Sequence, residues 1–144
     1  MSAPNTSAII SDRGATAFMT TVRVLIVDDQ APFRLAARMV TESAEDFQII
    51  AEAASGEASV ELAERLMPDL VLMDIHLPGI DGWEATRRIR RAAASKRPVV
   101  LLLSTYEAQD YAPRATECGA VGYVSKSDFD ADVLTTVWNA ATRT

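Results

Sequence analysis

Acidic side chains follow two short apolar runs of the sequence. Asp28 and Asp29 come directly after the run that ends at Val27, and Asp74 comes directly after Met73. Three carboxylates held close together repel one another, so at least one should have a raised pKa unless a cation lies between them. Magnesium suits such a group, because it prefers oxygen ligands and is commonly bound by carboxylates together with phosphate oxygens. The acidic residues therefore predict a Mg²⁺ site.

A hydroxyl group and an ammonium group complete the candidate site. Ser104 and Lys126 follow two later apolar runs of the chain. A carboxylate can attack phosphorus and form an aspartyl phosphate if a metal and positioned donors neutralise the charge on the transferring oxygens. Asp74 is the best candidate for this nucleophile, since Lys126 could pair with one phosphoryl oxygen and Ser104 could donate a hydrogen bond to another.

The elements that must position these residues are repeated βα units around a parallel sheet. From Val22 onward, short apolar runs alternate with helical patterns, which is typical of this class. Ligands of such sheets bind outside the carboxyl ends of the strands, where the candidate residues fall. The predicted strands are Val22–Val27, Phe47–Ala53, Leu70–Met73, Val99–Leu103 and Val121–Val124.

Five helices are predicted between and after these strands. Pro32 fits the first turn of the first helix, and Ser55 is a candidate cap for the second. The third should run from about Trp83 to Ala94.

The fourth and fifth helices have more specific boundary signals. Pro113 would break a helix that began directly after the fourth strand, so we expect a long loop and a helix that begins near Asp110. Gly119 should end that helix, and Ser127 should cap the fifth. The predicted core face of the fifth helix is Phe129, Val133, Val137 and Ala141.

Length, charge and composition restrict the class of protein. The chain has 144 residues, enough for one domain, which we place at residues 21–144. Residues 1–20 lack apolar periodicity and are predicted to be a flexible tail, so translation could begin at Met1 or at Met19. The net charge of −6 disfavours binding to nucleic acid or to anionic lipid. With one cysteine and no long apolar segment, the sequence favours a cytoplasmic protein without a membrane span.

In combination, these motifs resemble the receiver domains of two-component response regulators. The resemblance extends from Val22 to Ala141 and rests on the segments VLIVDDQ, DLVLMDIHLPGIDG, LLLST and GYVSK. It implies a flavodoxin-like, doubly wound α/β fold with five parallel strands in the order 2-1-3-4-5. It also implies that a sensor histidine kinase or a phosphotransfer protein phosphorylates Asp74. Such a protein is a phosphoacceptor switch and catalyses only its own phosphoryl transfer and dephosphorylation.

The resemblance assigns further roles within the site. The backbone carbonyl of His76 would complete the metal ligands, and Tyr123 would swing inward with Ser104 on activation. Phosphorylation would then change the face formed by helix four, strand five and helix five, and with it binding to a partner or formation of a homodimer. Receivers often carry proline, joined by a cis peptide, after the active-site lysine. Here Lys126 precedes Ser127, as in the subfamily that adds a C-terminal helix-turn-helix, and whether the bond is cis stays open.

Three other functions fit parts of the pattern. A haloacid-dehalogenase-like phosphohydrolase also forms an aspartyl phosphate, but it usually places an aspartate two residues after the nucleophile, where this chain has His76. A flavin carrier of the same fold would need a phosphate-binding loop after strand one, where Asp28 and Asp29 would repel the phosphate. An adaptor with an inactive receiver site is the third alternative, and metal titration would distinguish it.

Overall fold

A single parallel sheet forms the centre of the molecule. The structure is a computed structural model, and it describes residues 21–93, 97–105 and 112–143. The five strands lie in the order β2-β1-β3-β4-β5, which confirms the predicted fold. They are β1 (Val22–Val27), β2 (Phe47–Ala53), β3 (Leu70–Asp74), β4 (Val99–Ser104) and β5 (Gly122–Ser125).

Helices cover both faces of this sheet. Buried side chains of α2, α3 and α4 pack on one face, and those of α1 and α5 pack on the other. The three central strands are buried on both faces, which explains why β1, β3 and β4 are apolar almost throughout. The α-helices are α1 (Ala31–Ser43), α2 (Gly56–Leu66), α3 (Gly82–Ala92), α4 (Ala112–Cys118) and α5 (Ala131–Thr142).

Several predicted helix boundaries are confirmed. Pro32 lies in the first turn of α1. The side chain of Ser55 accepts a hydrogen bond of 3.1 Å from the amide of Ala58 at the start of α2. Gly119 follows α4 with a φ of 97°, a left-handed conformation that glycine adopts without strain.

The predicted start of the fifth helix is wrong. Ser127 lies in a short 3₁₀ turn (Lys126–Asp128), and α5 is capped by Asp130, whose side chain accepts a hydrogen bond of 2.8 Å from the amide of Val133. The turn buries Phe129 ahead of the helix, so the helix must begin later than the first capping residue in the sequence. The buried position of α5 is accordingly Leu134 rather than Val133.

Other differences are small. Strand β5 begins at Gly122 rather than Val121, whose side chain is 43% exposed. The predicted tail, the two candidate start positions, the loop before α4 and Ala94 lie outside the described residues. None of the helices in the described residues is long and apolar enough to span a bilayer.

Candidate functional site

The carboxyl ends of three strands bring the predicted site residues together. Asp28 follows β1, Asp74 is the last residue of β3, and Lys126 follows β5. Asp29 is exposed beside Asp28, and oxygens of the three carboxylates all lie within 4.8 Å of one another. Because parallel strands end at the same edge of a sheet, residues far apart in the sequence form one acidic cluster.

Lys126 provides the positive charge of this cluster. Its Nζ lies 2.7 Å from Asp28 Oδ2 and 3.6 Å from Asp74 Oδ1. The same Nζ lies 4.5 Å from the centre of the Phe33 ring, within the range of a cation–π interaction. The lysine side chain is 16% exposed, so its charge is only partly screened by water. The ammonium group is therefore held between two carboxylates and an aromatic ring.

Asp74 has the electrostatic environment of a functional carboxylate. Burial, the charge of Asp28 and, less strongly, that of Asp29 raise the pKa of Asp74 to about 6, against the opposing effects of Lys126 and the amide of His76. Clustered carboxylates predicted a raised pKa of this kind, and burial adds to the effect. Raised values of this size are found at functional sites more often than elsewhere.

Backbone contacts fix the orientation of the acidic groups. The amide of Gln30 donates a hydrogen bond of 2.8 Å to Asp28 Oδ1, and the amide of His76 donates one of 3.3 Å to Asp74 Oδ1. Gly82, the first residue of α3, lies so close to β3 that a Cβ atom there would be 2.8 Å from Ile75 Cα. The approach of α3 to the end of β3 therefore requires glycine.

The residues present fit a magnesium ion. Asp28 is 1% exposed, and its Oδ2 has no hydrogen-bond partner within the described part of the chain, although the ammonium group of Lys126 lies 2.7 Å away. A buried carboxylate oxygen without a hydrogen bond is costly. Asp28, Asp29 and Asp74 could supply hard oxygen ligands, the type that Mg²⁺ prefers.

Ser104 lies at the same edge of the sheet as this cluster, and Tyr123 lies further back along the neighbouring strand β5. Ser104 is fully buried at the end of β4, one residue after Leu103, which pairs with Asp74 in the sheet. Tyr123 is half-buried on β5 and packs against the core cluster on the sheet face that α2, α3 and α4 cover. Their roles in switching and the ligand role of the His76 carbonyl stay predictions. Since the described backbone contains no cis peptide, the Lys126–Ser127 bond is trans.

Sequence reasoning missed three residues that surround the site. Phe33 contacts Lys126, and Arg34 donates a hydrogen bond of 2.7 Å to the backbone carbonyl of Asp28. Glu52 on β2 holds the same arginine through an ion pair of 3.1 Å. Both α1 residues lie within six positions of the acidic pair, so proximity along the chain could have indicated them. No local signal pairs Glu52 with α1.

Comparison with known proteins identifies the class to which this fold and site belong. The family model described as the response regulator receiver domain matches residues 24–139. The chain therefore belongs to the receiver-domain family of two-component response regulators.

Individual relatives agree with this assignment. The chain is 35% identical over 118 residues to the nitrate/nitrite response regulator protein NarL of Escherichia coli (strain K12), covering 82% of this chain and 54% of NarL. It is 34% identical over 113 residues to the transcriptional regulatory protein DegU of Brevibacillus brevis, covering 78% of this chain and 47% of DegU. The chain thus spans about half the length of these curated relatives.

Solved structures give the same result. The fold is similar to the crystal structure of a two-component response regulator of the LuxR family from Aurantimonas sp. SI85-9A1, with a TM-score of 0.75 and 33% sequence identity. The similarity covers 83% of this chain and 84% of that one.

Proposed function

We propose that this chain is a phosphoacceptor switch in which Asp74 receives a phosphoryl group from a sensor histidine kinase or a phosphotransfer protein. The observation that carries the proposal is the position of Asp74, which is buried at a strand end beside both the ammonium group of Lys126 and the acidic pair. Family membership supports the same reaction.

The transfer itself requires an ionised carboxylate. An oxygen of Asp74 attacks phosphorus, and an O–P bond forms as the bond from phosphorus to the donor's imidazole nitrogen breaks. The nitrogen keeps the electron pair of the broken bond and is free to take a proton. Lys126 can pair with one oxygen of the arriving group, and Ser104 can donate a hydrogen bond to another. Magnesium held by Asp28, Asp29, Asp74 and the His76 carbonyl would neutralise charge on the phosphoryl oxygens.

The same arrangement argues against the alternative functions. The residue two positions after Asp74 is His76, whose side chain is exposed, so no carboxylic acid stands where a phosphohydrolase of this type usually has one. An adaptor without phosphoryl chemistry would not need to keep Asp28 and Asp74 buried together, because their mutual repulsion costs stability. We therefore propose that the chain catalyses only its own phosphorylation and dephosphorylation.

Phosphorylation is proposed to act through the face formed by α4, β5 and α5. Movement of Ser104 toward the phosphoryl group would leave space for Tyr123, which packs against the core cluster that includes buried residues of α4. Helix α4 has only seven residues, so a bias of about 1–3 kcal/mol, typical of coupled sites, could shift it. Amide hydrogen exchange with and without a phosphoryl mimic tests this step, and unchanged protection across residues 105–126 would contradict it.

Partners and location follow from the same assignment. The site calls for a phosphodonor protein, and the switching face could bind either a partner or a second copy of the chain. The net charge of −6 disfavours electrostatic attraction of this domain to nucleic acid or to anionic membranes, and we place its activity in the cytoplasm. We also propose that residues 21–144 fold without residues 1–20. A chain beginning at Met19 should keep its melting temperature within a few degrees.

Phosphoryl uptake from a small donor such as acetyl phosphate tests the proposal. Intact-mass measurement should show one phosphoryl group on the wild-type chain in the presence of magnesium and almost none when magnesium is chelated. Asp74→Asn should take up none under either condition. Equal uptake by wild type and variant would contradict the assignment.

A further inference from the structure

Arg34 on α1 connects the ends of β1 and β2. Its Nε lies 3.1 Å from Glu52 Oε1, and its Nη1 donates a hydrogen bond of 2.7 Å to the backbone carbonyl of Asp28. The arginine and glutamate side chains are 22% and 26% exposed, so both contacts are partly shielded from water. Partial burial makes such an ion pair stronger than one on the open surface.

The carbonyl that Arg34 contacts belongs to the peptide group between Asp28 and Asp29. A guanidinium group is planar and its donors point in fixed directions, so the ion pair with Glu52 determines where Nη1 points. On the other side, the amide of Asp28 donates a hydrogen bond of 3.0 Å to the carbonyl of Ala53, the residue after Glu52. The end of β2 and the arginine thus hold Asp28 through the two peptide groups that flank it.

We propose that Arg34, oriented by Glu52, is a positioning residue that fixes the Asp28–Asp29 peptide so that both carboxylates face a divalent cation. The inference rests on the proposed magnesium-binding function and adds two residues to it. Mutation of groups that orient metal ligands typically lowers metal affinity or activity about 10- to 100-fold. The acidic pair lies where a strand passes into a helix, and a contact that fixes its backbone reduces the ordering needed when the ion binds.

Arg38 provides a matched control on the same helix. It lies one turn after Arg34 and also forms an ion pair with Glu52, and its second partner is Glu42 at 3.2 Å. Arg34→Met and Arg38→Met each remove one positive charge and one ion-pair partner of Glu52. The Arg34 variant alone loses the contact with the Asp28 carbonyl.

Magnesium titration followed by amide chemical shifts of residues 28–30 and 74–76 compares the variants. Arg34→Met should bind magnesium about tenfold more weakly than wild type, whereas Arg38→Met should bind it as wild type does. Equal affinity in the two variants, whether weakened or not, would overturn the proposal.

A second pair of variants tests the proposal with smaller changes, in case the methionine variants do not fold. Arg34→Lys and Arg38→Lys keep the positive charge, but one ammonium group replaces the planar fork that reaches Glu52 and the Asp28 carbonyl together. Arg34→Lys should therefore still bind magnesium more weakly than Arg38→Lys. Thermal unfolding curves establish that each variant is folded at the titration temperature, and equal affinities in this pair would also overturn the proposal.

Hydrogen exchange without metal separates this inference from the proposed function. The amide of Gln30 donates a hydrogen bond to Asp28 Oδ1. If the backbone of the acidic pair is less firmly held, this hydrogen bond should open more often and the Gln30 amide hydrogen should exchange faster. We expect faster exchange in Arg34→Met than in Arg38→Met, and identical exchange would refute the positioning role. If the wild-type chain shows no saturable magnesium shifts at Asp28, Asp29 and Asp74, the proposed function fails, and the exchange result still decides the positioning role.

Discussion

The ammonium group of Lys126 lies closer to Asp28, at 2.7 Å, than to Asp74, at 3.6 Å. Asp28 is almost completely buried and depends on this charge, whereas Asp74 shares it. Lys126 therefore compensates the acidic cluster before any phosphoryl group arrives. Its partner must change, at least in part, when a phosphoryl oxygen on Asp74 competes for the same ammonium.

Removal of this lysine should affect both stability and phosphorylation. In Lys126→Met the buried charge of Asp28 loses its partner, so we expect the free energy of unfolding to fall by roughly 3–5 kcal/mol. The initial rate of phosphoryl uptake should fall about 100-fold, as when one positioned donor to a transition-state oxygen is removed. Saturating magnesium should recover much of the stability but not the rate. Urea unfolding and uptake measured by intact mass provide the two readouts.

An exposed cation serves as the control. Arg143→Met removes a positive charge at the end of α5, where the side chain is exposed, and should change neither quantity. If Lys126→Met matched wild type in both measurements, the ion pair with Asp28 would have no role in the site.

Asp74 should make stability depend on pH. Burial and the charge of Asp28 raise the pKa of Asp74 from 3.8 to about 6, so the folded protein keeps this proton at pH values where the unfolded chain has lost it. The free energy of unfolding of the wild-type protein therefore falls as the pH rises from about 4 to above 6. The Asp74→Asn variant is neutral at this position and does not show this loss of stability. Near pH 7 the variant should be more stable than wild type by roughly 2–3 kcal/mol, with the difference vanishing toward pH 4.

Unfolding in urea across this pH range measures the difference in stability between the wild-type chain and Asp74→Asn. Magnesium should reduce this difference, because it compensates the charge of the ionised carboxylate. A wild-type chain that gained stability relative to the variant between pH 4 and 7 would contradict the sign. The same titration predicts that phosphoryl uptake slows below about pH 6, because only the ionised carboxylate attacks phosphorus.

Gly82 should tolerate no side chain. A Cβ at this position would lie 2.8 Å from Ile75 Cα, and backbone on both sides cannot move away cheaply. We expect Gly82→Ala to lower the free energy of unfolding by roughly 2–4 kcal/mol and to slow phosphoryl uptake, because the end of β3 carries Asp74. Gly122→Ala is the control, since its Cβ would meet no atom within 4 Å. Equal urea midpoints for the two variants would show that α3 can move away from the end of β3 without loss of stability.

Phe33 should affect phosphorylation more than stability. Its ring lies 4.5 Å from Lys126 Nζ, and a cation–π interaction of this kind contributes about 0.5–1 kcal/mol. Phe33→Leu should therefore slow phosphoryl uptake about twofold to fivefold, the rate change that this energy corresponds to. Phe47→Leu removes an aromatic ring that packs against Trp138 at a centroid distance of 6.4 Å, and it should lower stability without altering the rate. If Phe33→Leu and Phe47→Leu slow phosphoryl uptake equally, the contact of the Phe33 ring with Lys126 has no specific role in phosphorylation.

The sequence was sufficient to predict most of the fold, because the signals that define it are local. The apolar runs gave the number of strands and placed Asp28 and Asp74 at strand ends, and Ser55 marked the start of α2. The strand order came from the resemblance to receiver domains. The start of α5 was not predictable in this way. Ser127 and Asp130 are both good capping residues, and burial of Phe129 between them decides which one caps the helix. This packing is a property of the tertiary structure.

The candidate site was also predictable only where its signals are local. Residue types and order indicated Asp74, Lys126 and the acidic pair, and the structure brings these four residues together. The contacts that orient them come from α1 and β2, which the sequence places near the site but does not pair with it. The contact of Arg34 with Glu52 spans 18 residues and depends on how α1 packs against β2. Such partners emerge only from the assembled fold.

The central claim is that Asp74 accepts the phosphoryl group, and locating the modified residue tests it most directly. After phosphorylation with magnesium, borohydride reduces an acyl phosphate to an alcohol and so converts a phosphorylated aspartate to homoserine, which peptide mass spectrometry can locate. We predict homoserine at position 74 and at neither Asp28 nor Asp29, with none in an Asp74→Asn chain treated identically. Homoserine at either residue of the acidic pair, or phosphoryl uptake that leaves position 74 unmodified, would contradict the assignment.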